Sequence, residues 1–271
     1  MRRIFLPGRG SLDRSVVEKE RLDKLLVEKG ILSSRERARS LIMEGKVLVD
    51  GEKIDKPGTR VETGARIEIR GEEQPYVSRG GLKLEKALEA FAIDPSGWAV
   101  MDVGASTGGF TDCVLQKGAR KVYAVDVGYG QLAWKLRTDP RVVNLERRNI
   151  RTLEREEVEE EVDLIVIDTS FISIEKFLSR LLSFLKKEGS MVGLIKPQFE
   201  VGKGEVGKGG VVREPALHRK VIDRIAQYSR GIGLNVLGVV ESPLLGPKGN
   251  KEFFIHLRKE EPEPCKGQGS K

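Results

Sequence analysis

The sequence predicts an α/β fold built on a parallel sheet from about Trp98 onward, with a small α+β module ahead of it. Three observations carry this. Short apolar runs alternate with amphipathic stretches through the second part of the chain. The first run, Trp98–Val103, breaks into the glycine-rich turn Gly104-Ala-Ser-Thr-Gly108-Gly109 and then a helical stretch. Upstream, two helix-period segments and an Asp50-Gly51 hairpin signal fall close together. The chain has 271 residues, which leaves room for one medium and one small domain.

Residues 1–19 hold turn formers and charge without a usable period and read as a flexible arm. The module occupies 20–70. Leu22, Leu25, Leu26 and Ile31 fall at helical spacing, and Gly30 stops the helix. Ser33 or Ser34 can cap a second helix, Arg35 to Glu44, whose Ala38, Leu41 and Ile42 face inward. Val47-Leu48-Val49, Lys53-Ile54 and Arg66 to Arg70 read as strands. Residues 71–79 are short and polar, contain Pro75, and read as a linker. The second domain is placed at 80–259. Its strands are expected at Trp98–Val103, Lys121–Asp126, Val142–Asn144, Asp163–Asp168, Met191–Lys196, Leu234–Glu241 and Glu252–Arg258. Helices are expected near Phe110–Lys117, Gln131–Arg137, Phe177–Lys187 and Pro215–Tyr228. Residues 260–271 are rich in Pro, Gly and charge and read as a disordered tail.

A formal charge of +7 makes a polyanionic partner reasonable. Two cysteines, Cys113 and Cys265, in dissimilar contexts argue against a disulfide framework and fit a reducing cytoplasm. With two histidines, His218 and His256, a His-built metal site is not expected, and no metal is predicted. The longest apolar runs are far too short to span a bilayer, so no membrane partner is expected.

In open α/β sheets, ligands bind at the carboxyl ends of strands, where a glycine turn lets the backbone come close. Asp126 ends the next strand about 20 residues after Gly104, the spacing at which a carboxylate takes ribose hydroxyls. This pattern fits any adenosine-containing ligand and leaves NAD and S-adenosylmethionine both open. Asp102 inside the first strand and Asn149 after the third favour S-adenosylmethionine. The carboxylate can orient the loop or meet the cofactor amine, and the amide can meet an adenine edge. The cofactor candidates are Asp102, Gly104, Ser106, Thr107, Gly108, Gly109, Phe110, Asp126, Asn149 and Asp168.

Two further strands end in Asp168-Thr-Ser-Phe and Lys196-Pro-Gln-Phe, which puts Asp168 and Lys196 beside that floor. A lysine is costly to bury there and is usually paired or functional. After Lys196, five glycines with Lys203, Lys208 and Arg213 form a rim loop suited to an RNA backbone. On the module, Arg35 and Arg39 share a helix face, with Arg37 and Lys46 near; a basic face of this kind can sit against phosphates. Arg79 completes the set of RNA candidates.

The run Arg-Leu-Asp-Lys-Leu-Leu-Val-Glu-Lys-Gly, then Ser-Arg-Glu-Arg-Ala-Arg-Ser-Leu-Ile and Gly-Lys-Val-Leu-Val-Asp-Gly resembles the RNA-binding domain named after ribosomal protein S-four. From Val77 to the last strand the chain resembles the FtsJ-like ribose 2′-O-methyltransferases, whose sites use a Lys-Asp-Lys-Glu tetrad. The matches are Lys83, Asp168, Lys196 and Glu252. Over about residues 20–258 the chain is similar to the TlyA family, through Val-Ser-Arg-Gly-Gly-Leu-Lys-Leu, Asp-Val-Gly-Ala-Ser-Thr-Gly-Gly-Phe-Thr-Asp, Asp-Thr-Ser-Phe-Ile-Ser, Lys-Pro-Gln-Phe-Glu and Gly-Lys-Gly-Gly-Val-Val-Arg. Thr169 stands where the family is expected to hold an apolar residue, between the kept Asp168 and Ser170.

The resemblance implies a Rossmann-like class I methyltransferase domain behind a small N-terminal α+β RNA-binding domain. It implies S-adenosylmethionine as cofactor, ribosomal RNA or ribosomal subunits as partner, and methylation of a cytidine 2′-hydroxyl. The competing readings are a non-catalytic RNA-binding or assembly factor that keeps the cofactor site, and a haemolysin, a label this family sometimes carries.

Overall fold

The computed structural model describes residues 18–32, 35–70, 75–202 and 204–259; of Glu36 and Arg37 it describes the backbone alone. The expected arm up to Lys19 lies almost wholly outside these, as do the tail, Lys203, the Ser33/Ser34 cap and residues 71–74 of the linker. The chain divides into two compact units, 1–73 and 74–271.

In the first unit, β1 (Lys19–Arg21) leads into α1 (Leu22–Glu28) and α2 (Arg35–Met43). Then come β2 (Val47–Val49), β3 (Glu52–Ile54), β4 (Arg60–Glu62) and β5 (Ile67–Ile69). Val49 faces Glu52 across a two-residue turn in which Asp50 and Gly51 both have positive φ, the backbone a tight hairpin asks for. The sheet runs β3-β2-β5, all antiparallel, and β1 pairs separately with β4. This second pair is absent from the sequence reading: three-residue strands are too short to show a period. Leu22, Leu25, Leu26, Ala38, Ile42 and Val47 form the core between helices and sheet.

The second unit opens with α3 (Arg79–Ala90), then β6 (Ala99–Val103), α4 (Gly109–Gln116), β7 (Lys121–Asp126), α5 (Trp134–Arg137) and β8 (Val142–Glu146). It continues through β9 (Val162–Ile167), α6 (Leu178–Leu181), β10 (Leu185–Ile195), α7 (Pro197–Glu200), α8 (Pro215–Gly231), β11 (Leu234–Glu241) and β12 (Phe253–Lys259). Residues 75–79, read from sequence as linker, pack into this unit. Tyr76 is buried, the Val77 N–H donates to Asp112 Oδ2 at 2.8 Å, and Arg79 begins α3.

The seven strands lie in the order β11-β12-β10-β9-β6-β7-β8. Strands β6 to β10 are mutually parallel, and β12 runs antiparallel between β10 and β11. The sheet is therefore mixed where a parallel one was expected. The connection from β11 to β12 is too short to hold the crossover helix that a parallel return needs. The expected helix Phe177–Lys187 ends at Leu181, because Leu185 already pairs with Val162 as strand. The helix expected from Gln131 starts only at Trp134.

Alternate residues of the strands feed two cores. Met101, Val103, Ile165 and Ile167 pack with Phe177, Leu178 and Phe184 on one face; Val100, Leu164 and Val166 pack with Leu84, Leu88 and Phe110 on the other. A sheet covered on both faces leaves its strand ends as the place where a ligand can reach the backbone. From β6 the chain crosses to β7 on one side and later to β9 on the other, so the switch point lies between β6 and β9.

Candidate active site

A cavity of about 450 Å³ opens at that switch point. Its floor is the turn Gly104, Ala105, Ser106, Thr107 and Gly109 with Phe110; its walls are Ser78, Arg79, Gly80, Lys83, Asp168, Ser170, Lys196, Pro247 and Glu252. Its size falls within the range of small-molecule sites. Gly104 has φ +87°, and a Cβ there would come within 2.6 Å of the Asp168 carbonyl oxygen. The turn thus lies directly against the exit of β9, closer than any side chain allows.

The Asp102 carboxylate holds the turn from beneath. Fully buried, its Oδ2 accepts the Thr111 N–H at 2.9 Å and the Thr111 hydroxyl at 2.7 Å, at the start of α4. Burial pushes its carboxyl up to about 7, with the nearby Asp168 charge acting in the same direction. Its Oδ1 has no protein partner. Asp126 grips the turn from the side: its Oδ2 accepts the Ser106 N–H at 2.8 Å and its Oδ1 the Gly128 N–H at 2.6 Å. A carboxylate offers about four acceptor sites, so both oxygens keep capacity for a ligand.

All four tetrad positions line the cavity. Lys196 Nζ lies 2.6 Å from Asp168 Oδ1 and donates to Ser170 Oγ at 2.9 Å. Lys83, from α3, donates to Glu252 Oε2 at 2.6 Å. Glu252 is fully buried, and its Oε1 has no protein partner. Its side chain fits because residue 246 is glycine: a Cβ there would stand 2.0 Å from Glu252 Oε1. The arrangement is two ion pairs of opposite origin, one from strand ends and one joining α3 to the approach of β12, facing a single space.

Other candidates lie elsewhere. Asn149 is exposed, and its Oδ1 accepts the Arg151 N–H at 3.0 Å; it closes its own turn and does not line the cavity. Gly108 packs beneath the turn, where a Cβ would meet Leu136 at 2.2 Å. Arg79 is exposed at the cavity wall, and Lys208 and Arg213 are exposed. In the first unit Arg39 is exposed, Lys46 pairs with Glu44 at 2.7 Å, and Arg35 donates to the buried Asp23 at 2.8 Å. The two arginines pull the Asp23 carboxyl down to about 2, with the Arg21 hydrogen bond contributing most. Arg35 therefore has a structural partner that the charge pattern did not reveal.

Ser170, Pro247 and Gly246 were absent from the sequence-derived candidates. Ser170 was within reach of that reading, two residues past Asp168. Gly246 could not be singled out, because its contact with Glu252 exists only in three dimensions. Among the described residues no group of three His, Cys, Asp or Glu is placed to hold a metal ion, and no helix is long and apolar enough to cross a membrane.

The FtsJ-like methyltransferase model matches residues 76–259, and the S4 domain model matches residues 20–67. The 16S/23S rRNA (cytidine-2′-O)-methyltransferase TlyA of Mycobacterium tuberculosis is 48% identical over 90% of this chain and 91% of its own length. Hemolysin A of Brachyspira hyodysenteriae is 40% identical over 88% of this chain and 99% of its own. A solved structure from Streptococcus thermophilus that carries the hemolysin label has a TM-score of 0.71 and 44% identity, covering 91% of this chain and 90% of its own.

Proposed function

The chain belongs to the FtsJ-like methyltransferases and, within them, to the TlyA family, and from that premise we propose that its cavity methylates a cytidine 2′-hydroxyl in ribosomal RNA with S-adenosylmethionine. The observation that carries this is the convergence of Lys83, Asp168, Lys196 and Glu252 on one cavity whose floor is the glycine turn. The residues fit the cofactor: Gly104 lets the turn close against the exit of β9, Asp102 and Asp126 brace it, and the buried Asp102 Oδ1 is left without a protein partner. When bound, S-adenosylmethionine supplies an electrophilic methyl group on a sulfonium.

The rest falls to the chain's own groups. A ribose hydroxyl is a poor nucleophile until its oxygen carries more charge. Lys196 has three N–H donors; one meets Ser170, and the ammonium is paired by charge with Asp168, which leaves donor capacity for the substrate oxygen. At about 4 Å and an effective dielectric near 20, an ammonium stabilises an alkoxide by roughly 4 kcal/mol, or about three pKa units of the hydroxyl. With Lys196 fully protonated, the proton given up by the hydroxyl passes to the Asp168 carboxylate, the acceptor of the pair. Lys83 and Glu252 hold the opposite wall, with Glu252 fixed by a charge-assisted hydrogen bond. Orientation of the hydroxyl towards the methyl group supplies much of the remaining rate. The first unit holds structured RNA, and the target nucleotide leaves its stack to reach the cavity.

The test is transfer of a labelled methyl group from S-adenosylmethionine to ribosomal RNA and to intact subunits, followed by mapping of the modified position. Label on a cytidine 2′-oxygen is the expected result. Label on a base overturns the assigned atom. No transfer to either substrate, with RNA still bound, favours a non-catalytic assembly factor.

A further inference from the structure

The ends of β9 and β10 leave the sheet side by side and carry Asp168 and Lys196. Between Ile167 and Ile174 the chain has no regular secondary structure, and Phe171 within it takes φ +66° and is 89% exposed. Something must hold this loop if Asp168 and Ser170 are to stay on Lys196. At its near end the Asp168 N–H donates to the Val103 carbonyl at 2.9 Å, and Lys196 reaches Ser170.

At its far end the grip comes from Glu200, the last residue of α7, a few positions beyond Lys196 on the same segment. Glu200 Oε1 accepts the Ile174 N–H at 2.9 Å. Its Oε2 accepts from Arg224 Nη2 on α8 at 2.7 Å, and Arg224 Nη1 donates to the Glu200 carbonyl at 2.8 Å. Arg224 Nε also donates to Glu175 Oε1 at 3.1 Å, one residue past Ile174. The Glu200 side chain is 3% exposed. Burying a carboxylate is costly, and apolar side chains of similar volume commonly give equal or greater stability. A charge kept here answers a need for geometry more readily than a need for stability.

We infer that Glu200 is a positioning residue for methyl transfer: it locks the 168–174 loop to the 196–200 segment at one end, so that Lys196 meets Asp168 and Ser170 at the other. This rests on the reading of Lys196 as the group at the 2′-oxygen. A displacement of about 1 Å in such a pair costs on the order of a hundredfold in rate.

The test compares full-length variants at a temperature where each is folded, with S-adenosylmethionine and ribosomal RNA. Glu200→Ala is expected to lower kcat about a hundredfold while both KM values stay within about threefold. Glu200→Gln keeps an acceptor for the Ile174 amide, and Arg224 is 43% exposed and tolerates the lost charge; it is expected to stay within about fivefold of the parent kcat. Val221→Ala, a buried change on the same helix as Arg224, is expected to lower Tm yet keep kcat. If Glu200→Ala does not fold, Glu200→Asp withdraws the acceptor from Ile174 while keeping the charge, and carries the same expected loss. Unchanged kcat in Glu200→Ala, or kcat that falls equally in Val221→Ala, overturns the inference. If Lys196→Ala is inactive and Glu200→Ala is not impaired, only the inference fails. An inactive parent, or an active Lys196→Ala, overturns the reading beneath it and the inference with it.

Discussion

Lys196 is held inside the protein by its ion pair with Asp168 and its hydrogen bond to Ser170. This makes the position intolerant of a longer cation. Lys196→Arg places a planar fork where a single tetrahedral donor fits, so its single-turnover methylation rate is expected to fall about as far as that of Lys196→Ala, on the order of a hundredfold or more. A rate for Lys196→Arg within tenfold of the parent would rule out this geometry. Gly104 is constrained differently. Its φ of +87° and the Asp168 carbonyl beside it leave no room for a methyl group, so Gly104→Ala is expected to cost about 1–3 kcal/mol in unfolding free energy and to weaken cofactor binding. Calorimetry with S-adenosylmethionine and a denaturation curve measure both. The four tetrad positions were legible in sequence through family motifs, and Asp168 and Lys196 also through their place at strand ends. Asn149 was picked on its spacing, and an amide that closes its own turn, as its Oδ1 does with the Arg151 N–H, has the same local sequence as one that meets a ligand.

The helices and strands add a second level at which charge and function separate. On the first unit, Arg35 and Arg39 share a helix and look equivalent in sequence, yet Arg35 neutralises buried Asp23 while Arg39 is exposed. Arg39→Ala is expected to weaken RNA binding and reduce its salt slope by about one unit, with stability unchanged. Arg35→Ala is expected to destabilise the unit. Thermal melts and binding titrations from low to high salt tell the two apart. Because the Asp23 carboxyl is held near 2, below its ordinary 3.8, its contribution is present above pH 3.8 and is lost as pH falls through about 2. The same level explains what the sequence reading of the fold got right and wrong. Helices stopped by Gly30 and Gly45, and the Asp50-Gly51 hairpin, are local events with local signatures. The start of β10 is not. Leu181, Leu182 and Leu185 continue a helical spacing, but Leu185 faces Val162 across the sheet, and pairing prevails over propensity.

Across the second unit, two buried titratable groups pull stability in opposite directions. Burial lifts Asp102 from 3.8 to about 7, so its contribution is present below pH 3.8 and is lost as pH rises through about 7. Burial lowers His256 from 6.5 to about 4, with Arg258 acting in the same sense, so its contribution is present above pH 6.5 and is lost as pH falls through about 4. Between about pH 4 and 6.5 the two slopes offset each other, each at most about 1.4 kcal/mol per pH unit. Relative to the parent, unfolding free energy is expected to rise more steeply with pH in Asp102→Asn and to fall more steeply in His256→Asn. Parallel curves for all three proteins would contradict this. The pair Lys83 and Glu252 has a consequence of another kind. Its partners are 169 positions apart, and Glu252 comes just before the last strand to join the sheet. A ribosome adds roughly 5–20 residues per second, so the glycine turn and Lys196 emerge seconds before the residue that closes the opposite wall. The nascent chain is therefore without its full tetrad for as long as Glu252 remains unmade or inside the exit tunnel.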